Sequence, residues 1–115
     1  MYTEDQLRMV AKALGWEEKP TCYTHKKEYW RYVVKDGLQE YLLSPKASRA
    51  IQDFLLKEGV SLFELWYYEL GVKRYYIHSI TIHRVGGTIK IDGKANTPQE
   101  ALLDACIQYL GGKNE

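Results

Sequence analysis

The chain has 115 residues, enough for one compact domain with one hydrophobic core. Its hydrophobic content of 45% and charged content of 27% are ordinary for a folded protein and argue against intrinsic disorder. With a net charge of +1 the chain lacks the basic excess of a typical duplex nucleic-acid binder, which argues against long DNA or RNA as a partner. No apolar run approaches the ~20 residues of a membrane span, and the start, MYTEDQLRMV, lacks the basic and apolar regions of a signal peptide. We therefore expect a cytoplasmic protein.

The chain opens with a predicted helix over 3–14. Thr3 is a suitable cap, acidic residues occupy the first turn, and apolar residues recur at helical spacing. Gly15 is expected to end this helix. The following stretch, EEKPTCYTHKK, has the composition of a loop.

The next run, YWRYVVKDGLQEYLL, contains an Asp36-Gly37 pair between two β-rich segments. Asp-Gly between such segments is a strong signal for a short hairpin. The sequence therefore predicts strands over 29–35 and 38–43.

A second helix is predicted over 45–58, with Ser44 as its cap and Pro45 at its first position. The segment after Gly59, VSLFELWYYELG, is ambiguous. Ser61 and Glu64 form a capping-box pattern that would suit a helix. However, the apolar residues surround a helix instead of forming one stripe, so we favour a strand.

The run RYYIHSITIHRV is predicted to be a strand, and Gly86-Gly87 is predicted to turn it into a second strand, TIKID. In this hairpin Ile80, Ile82, Ile89 and Ile91 should share a face. Thr97, Pro98 and Glu100 then predict the start of a C-terminal helix, PQEALLDACIQYL. Gly111-Gly112 is expected to end it.

These elements predict a single α+β domain over residues 1–115, in the order α-β-β-α-β-β-β-α. Three helices should pack on a mainly antiparallel sheet of about five strands.

Three stretches of the chain carry a family resemblance: the AKALGW end of the first helix, the Ser44-Pro45 start of the middle helix, and DGKANTPQEALLDACIQYL. In these stretches the chain resembles the small bacteriophage proteins that contain the phage ABA sandwich domain. The tyrosine-rich segment 62–78 departs from the family, being longer and more aromatic. The resemblance implies a phage or prophage origin, action in the bacterial host cytoplasm, and no catalysis. Some small phage proteins of this style inhibit bacterial immunity by sequestering nucleotide signals such as cyclic ADP-ribose isomers.

Signatures of catalysis or of metal binding are missing from the sequence, which has no GxGxxG, Walker loop, GxSxG or paired metal ligands. His78 and His83 lie five apart on one strand and should point to opposite faces. Cys22 and Cys106 are expected to be free thiols, with a disulfide or a reactive thiol as alternatives. We expect neither enzymatic activity, nor a cofactor, nor a bound metal.

The chain has ten tyrosines, and four of them form two adjacent pairs in ELWYYELGVKRYYIHSITIHR. Strand alternation should place Tyr76, His78, Ile80, Ile82 and Arg84 on one side, and Tyr75, Ile77, Ser79, Thr81 and His83 on the other. A rim of tyrosine, histidine and arginine is suited to stacking on a base and pairing with a phosphate. The predicted ligand-binding residues are Trp66, Tyr68, Arg74, Tyr76, His78 and Arg84. The alternative for them is core packing together with a dimer surface.

The leading hypothesis is a non-enzymatic, phage-type binding protein that counters a host immune factor by sequestering a small nucleotide. Its ligand would resemble cyclic ADP-ribose or a cyclic oligonucleotide. The alternatives are a protein–protein module that inhibits a host protein directly and, third, an uncharacterised enzyme. The aromatic surplus also predicts a homo-oligomer, most simply a dimer.

Overall fold

A computed structural model describes residues 2–26 and 32–113. In chain order the elements are α1 (Glu4–Ala13), β1 (Glu17–Glu18), β2 (Cys22–Thr24), β3 (Tyr32–Val34), α2 (Leu38–Leu42), α3 (Pro45–Lys57), β4 (Val60–Leu70), β5 (Lys73–Arg84), β6 (Gly87–Ala95) and α4 (Pro98–Lys113). The α+β class is confirmed. The predicted numbers of helices and sheets are wrong. The described part of the chain has four α-helices and two three-stranded sheets, instead of three helices and one sheet of about five strands.

The larger sheet is an antiparallel meander in the order β4-β5-β6. Residues 60–70 form the strand favoured from the sequence, and the long β5 strand is also confirmed. Ile80 pairs with Ile91 and Ile82 with Ile89. Because directly opposed residues point the same way, these four side chains lie on one face of the sheet, as predicted.

Helix starts follow the predicted caps. Thr3 accepts a hydrogen bond from the backbone N–H of Gln6, and Ser44 accepts one from that of Ala47. Gly15 follows α1 with a φ of +93°, a conformation that glycine adopts without strain. These helix boundaries are therefore set by residues at the helix ends, through side-chain caps and a glycine with positive φ.

The predicted hairpin at Asp36-Gly37 is wrong. Gly37 has a φ of −95°, whereas the turn of an Asp-Gly hairpin requires a positive value. The pair lies in a 3-10 turn that leads into α2, so residues 38–42 are helical and not a strand. Leu38 and Leu42 are four apart and both buried, which gives this short helix its apolar side. Of the first predicted strand, residues 29–31 lie outside the described residues.

Two further corrections concern the ends of the chain. The predicted loop after α1 contains β1 and β2, which pair with each other, and β2 also pairs with β3. Helix α4 does not end at Gly111-Gly112 but continues to Lys113. Glycine lowers helix stability by only about 1 kcal/mol, so packing of the preceding turns is able to carry the helix through both glycines.

Helix α4 defines the two faces of the larger sheet. Gly93 of β6 lies directly under α4, since a Cβ on it would collide with the backbone of Ala101 and Ala105. Gly93 pairs with His78, so the face that α4 covers carries the even-numbered side chains of β5. We call this the helix face and the opposite one the open face. Buried residues outside the larger sheet, including Trp16 between α1 and β1 and Tyr23 of β2, form one core cluster with Ile80 and Ile82.

Candidate binding surfaces on the long hairpin

The six predicted ligand-binding residues lie on both faces of the larger sheet. Arg74, Tyr76, His78 and Arg84 are on the helix face. Trp66 pairs with Ile77 and Tyr68 with Tyr75, which places Trp66 and Tyr68 on the open face. The sheet itself separates the two groups, so a single small ligand does not contact all six.

The helix face carries an exposed group of side chains near the β4–β5 turn. At three successive levels of the hairpin, Leu65 pairs with His78, Tyr67 with Tyr76, and Glu69 with Arg74. We call Leu65, Tyr67, Tyr76 and the pair Arg74–Glu69 the hairpin cluster. The Tyr67 and Tyr76 rings are 4.9 Å apart, and Nε of Arg74 is 2.9 Å from Oε1 of Glu69.

The hairpin cluster has a cation that is easily reached from solvent. The Arg74 side chain is 71% exposed, and exposed ion pairs contribute little to stability. An anionic group is therefore able to replace Glu69 as the partner of Arg74 at small cost. The Tyr67–Tyr76 pair is two residues along the strands from the Glu69–Arg74 pair and on the same face, so the two rings offer aromatic surface next to that charge.

His78 lies beneath this cluster and does not reach the surface. It is 6% exposed, its ring makes an edge contact with Phe63 at 6.0 Å, and its Nδ1 has no hydrogen-bond partner among the described residues. Burial lowers the pKa of His78 below its ordinary value because the charged form loses its hydration. In this structure His78 is a buried packing residue beside Phe63 and opposite Gly93.

Arg84 is at the far end of β5 from Arg74. Ten residues separate them, which is roughly 33 Å along a strand. Arg84 lines a separate cavity of about 180 Å³. The other residues of this cavity are Ile82, Ile89, Ile91, Gln108, Tyr109 and Gly112. It is too distant to share a small ligand with the hairpin cluster.

The open face contains an aromatic stack that joins all three strands. The Tyr68 and Tyr75 rings are 5.3 Å apart and nearly parallel, at 14°, and Nζ of Lys94 lies 4.3 Å from the centre of the Tyr75 ring. Tyr75 is therefore covered by Tyr68 and Lys94, and neither of its ring faces is available for a nucleobase. Trp66, one level away, is 49% exposed. Tyr75 and Lys94 were not among the predicted ligand-binding residues, because strand alternation alone does not give the pairing register that brings them beside Tyr68.

A larger cavity than the one beside Arg84 lies away from the hairpin. It has a volume of about 560 Å³ and lies between β3, α2 and the start of α3. Its lining is Tyr32, Val33, Val34, Gly37, Glu40, Tyr41, Ser44, Pro45 and Lys46.

The thiols and possible metal ligands are dispersed. Cys106 is fully buried on α4, and burial raises its pKa to about 12, which keeps the thiol protonated and unreactive. Cys22 is also a free thiol and lies on β2, not in the predicted loop. Within residues 2–26 and 32–113, no group of three or more His, Cys, Asp or Glu side chains is arranged to hold a metal ion. No helix in these ranges is long and apolar enough to cross a membrane.

Comparisons with known proteins give no match to a protein-family model, a curated protein or a solved structure.

Proposed function

We propose that this chain is a non-enzymatic binding protein that holds a small nucleotide at the hairpin cluster. The observation that carries the proposal is the solvent-exposed Arg74 guanidinium next to the Tyr67–Tyr76 ring pair. Arginine suits a phosphate, because its planar group donates two parallel hydrogen bonds, and an aromatic ring adjacent to it suits a base. The resemblance to small phage proteins extends the proposal to sequestration of a nucleotide immune signal in a bacterial host.

The experiment is a thermal-shift screen against mononucleotides, cyclic dinucleotides and ADP-ribose derivatives, with the recovered ligand analysed for turnover. A bound ligand stabilises the folded state by RT ln(1 + [L]/Kd), so a positive compound raises the melting temperature with concentration and is recovered unchanged. Failure of every compound to stabilise the protein would reject this proposal.

Arg74→Ala is the decisive variant, with Arg84→Ala as its matched control. Both remove an exposed arginine from the helix face of β5, but only Arg74 adjoins the tyrosine pair. Loss of a charge-assisted contact of about 1.5–3 kcal/mol should weaken binding roughly ten- to hundred-fold in Arg74→Ala, with binding by Arg84→Ala unchanged. Tyr76→Phe keeps the ring and should bind like the parent. Equal affinity of both arginine variants would exclude the hairpin cluster as the site.

Direct inhibition of a host protein is the second candidate, and the exposure of the same cluster favours it. Leu65 and Tyr67 are each 50% exposed, and neither of the two cavities described above is lined by them. Small-molecule sites are usually concave, whereas a flat apolar and aromatic patch suits a macromolecule. A host-lysate pulldown that recovers one protein with the parent and loses it with Tyr67→Ser would support this function over the first.

A further inference from the structure

Strands β4 and β6 form the two edges of the larger sheet, since no other described strand pairs with the outer side of either one. The turns Gly71-Val72 and Val85-Gly86 each contain two residues, and the residues that flank such a turn form a hydrogen-bonded pair. Hydrogen-bonded pairs alternate with non-hydrogen-bonded pairs along antiparallel strands. The backbone N–H and C=O groups that point away from the sheet therefore belong to the odd-numbered residues of β4 and the even-numbered residues of β6.

The β6 edge is covered by side chains of α4. The Lys94 N–H donates to Oδ2 of Asp104 at 3.0 Å, and the Asp92 carbonyl accepts from Nε2 of Gln108 at 2.9 Å. Both backbone groups belong to even-numbered residues, as the alternation requires. Lys90 adds a second lysine to this strand, and lysines on an edge discourage another strand from pairing there. The β6 edge is thus protected against strand addition.

The β4 edge lacks this protection and exposes apolar side chains. The strand contains no lysine, arginine or proline, and its regular pairing with β5 extends over nine residues, 62–70. Six large apolar or aromatic side chains of β4 are at least 40% exposed, and they lie on both faces of the sheet: Leu62, Leu65, Trp66, Tyr67, Tyr68 and Leu70. A strand added to this edge would form backbone hydrogen bonds and contact both rows of side chains at once.

We propose that β4 pairs antiparallel with β4 of a second copy of this chain, so that the two three-stranded sheets join into one sheet of six strands. The two-fold axis is perpendicular to the sheet and passes beside Trp66, the midpoint of residues 62–70. This axis keeps the helix faces of the two copies on the same side. The inference concerns the edge of the sheet and does not rest on the proposed ligand.

The position of the axis follows from strand overlap and from hydrogen bonding. With this axis all nine regular residues of β4 oppose one another, whereas moving it by one residue leaves only seven opposed. Leu65 then opposes Tyr67 of the other copy, and Phe63 opposes Glu69, so that outward backbone groups meet outward backbone groups. Four such pairs exchange two hydrogen bonds each, about eight in all. A typical specific interface has about 10 ± 5 direct hydrogen bonds, so this number is sufficient.

The same register brings exposed apolar side chains together. Trp66 opposes Trp66 of the other copy on the open face, in a non-hydrogen-bonded pair with Cα atoms about 4.5 Å apart. Leu62 opposes Leu70 on that face, and Leu65 opposes Tyr67 on the helix face. Aromatic and aliphatic cross-strand pairs stabilise a sheet, and no carboxylate opposes another in this register. The strand is therefore complementary to itself, which favours a second copy over an unrelated extended peptide.

Light scattering and sedimentation equilibrium test the dimer, with Leu65→Pro and Lys90→Pro as a matched pair. Each change removes an outward N–H from an edge strand, where proline costs no hydrogen bond within the sheet. The parent should have twice the monomer mass of 13.4 kDa at tens of micromolar. Leu65→Pro should weaken the dimer at least ~30-fold, because two backbone bonds are lost per dimer, and Lys90→Pro should leave it unchanged. Circular dichroism establishes that both variants are folded.

Hydrogen exchange of the parent tests the same edge without any substitution. The amides of residues 63, 65, 67 and 69 should exchange slowly where the protein is dimeric and fast after dilution to the monomer. The amides of the even-numbered residues 64, 66 and 68 are bonded to β5 and should be protected in both states. Fast exchange at the odd-numbered positions in the dimer would overturn the proposal even if Leu65→Pro failed to fold.

Disulfide crosslinking tests the register, in a Cys22→Ser background. Leu62→Cys combined with Leu70→Cys places two thiols opposite each other across the axis, at a Cα separation that a disulfide spans. Within one copy these positions are eight residues apart, roughly 27 Å, so the double variant should form covalent dimers and each single variant should not. Absence of crosslinks in the double variant rejects the axis at Trp66.

Two results overturn the dimer itself. One is a monomeric parent, including one that captures a host protein or an extended peptide at β4. The other is a folded Leu65→Pro variant that dimerises as tightly as the parent, since its partner strand would then have to lie elsewhere.

Discussion

Replacing Gly93 with alanine should separate α4 from the larger sheet. The new Cβ would lie 2.9 Å from the Cα of Ala105 and closer still to backbone atoms of Ala101 and Ala105. These are backbone atoms of a long helix and are unable to rotate away as a side-chain end would. Overpacking of a core typically costs 1–3 kcal/mol, and we expect Gly93→Ala to reach about 3 kcal/mol. For a domain of this size that corresponds to a fall in melting temperature of roughly 12 °C.

Gly111→Ala is the matched control for Gly93→Ala. Gly111 is also within an element, α4, but a Cβ on it would meet nothing within 4 Å. Alanine in a helix is favoured over glycine by roughly 0.5–1 kcal/mol, so this variant should melt at or a few degrees above the parent. Calorimetry of the three proteins makes the comparison. If Gly93→Ala melted within about 2 °C of the parent, the close approach of α4 to β6 would be refuted.

Three further predictions concern stability and thiol reactivity. The folded state lowers the pKa of His78 from its ordinary value of 6.5, so the unfolded chain binds this proton more tightly. The free energy of unfolding should therefore fall as the pH drops below about 7, and His78→Leu should flatten this pH dependence in denaturant titrations. Iodoacetamide should modify Cys22 of the native protein much faster than Cys106, and both thiols should react after unfolding. Fewer than two reactive thiols in the unfolded, unreduced chain would indicate a disulfide or another modification. Ser44→Ala removes the cap that accepts from the Ala47 N–H and should lower the free energy of unfolding by about 1 kcal/mol, whereas an unchanged midpoint in urea would show that this bond is not stabilising.

The predicted ligand-binding residues illustrate how far sequence reasoning extends to a site. Alternation along β5 correctly grouped Tyr76 with His78, since the direction of a side chain in a strand depends only on its position. It did not show that α4 would bury His78, or that β4 would pair in the register that turns Trp66 to the other face. Burial and register depend on elements that are distant in the sequence.

By itself, the sequence determined the features that depend on neighbouring residues. These are the capped starts of α1, α3 and α4, the long β5 strand, and the β5–β6 turn, which lies at Val85-Gly86, one residue before the predicted Gly86-Gly87. Each is specified by residues within a few positions of one another. Only the tertiary structure decided the features that depend on packing. The Asp36-Gly37 pair entered a 3-10 turn because Leu38 and Leu42 are buried in the common core, and Gly93 acquired its role only because α4 crosses β6 there. The division of the aromatic residues between a helix face and an open face has the same origin, since a helix that covers one side of a sheet leaves the other side exposed.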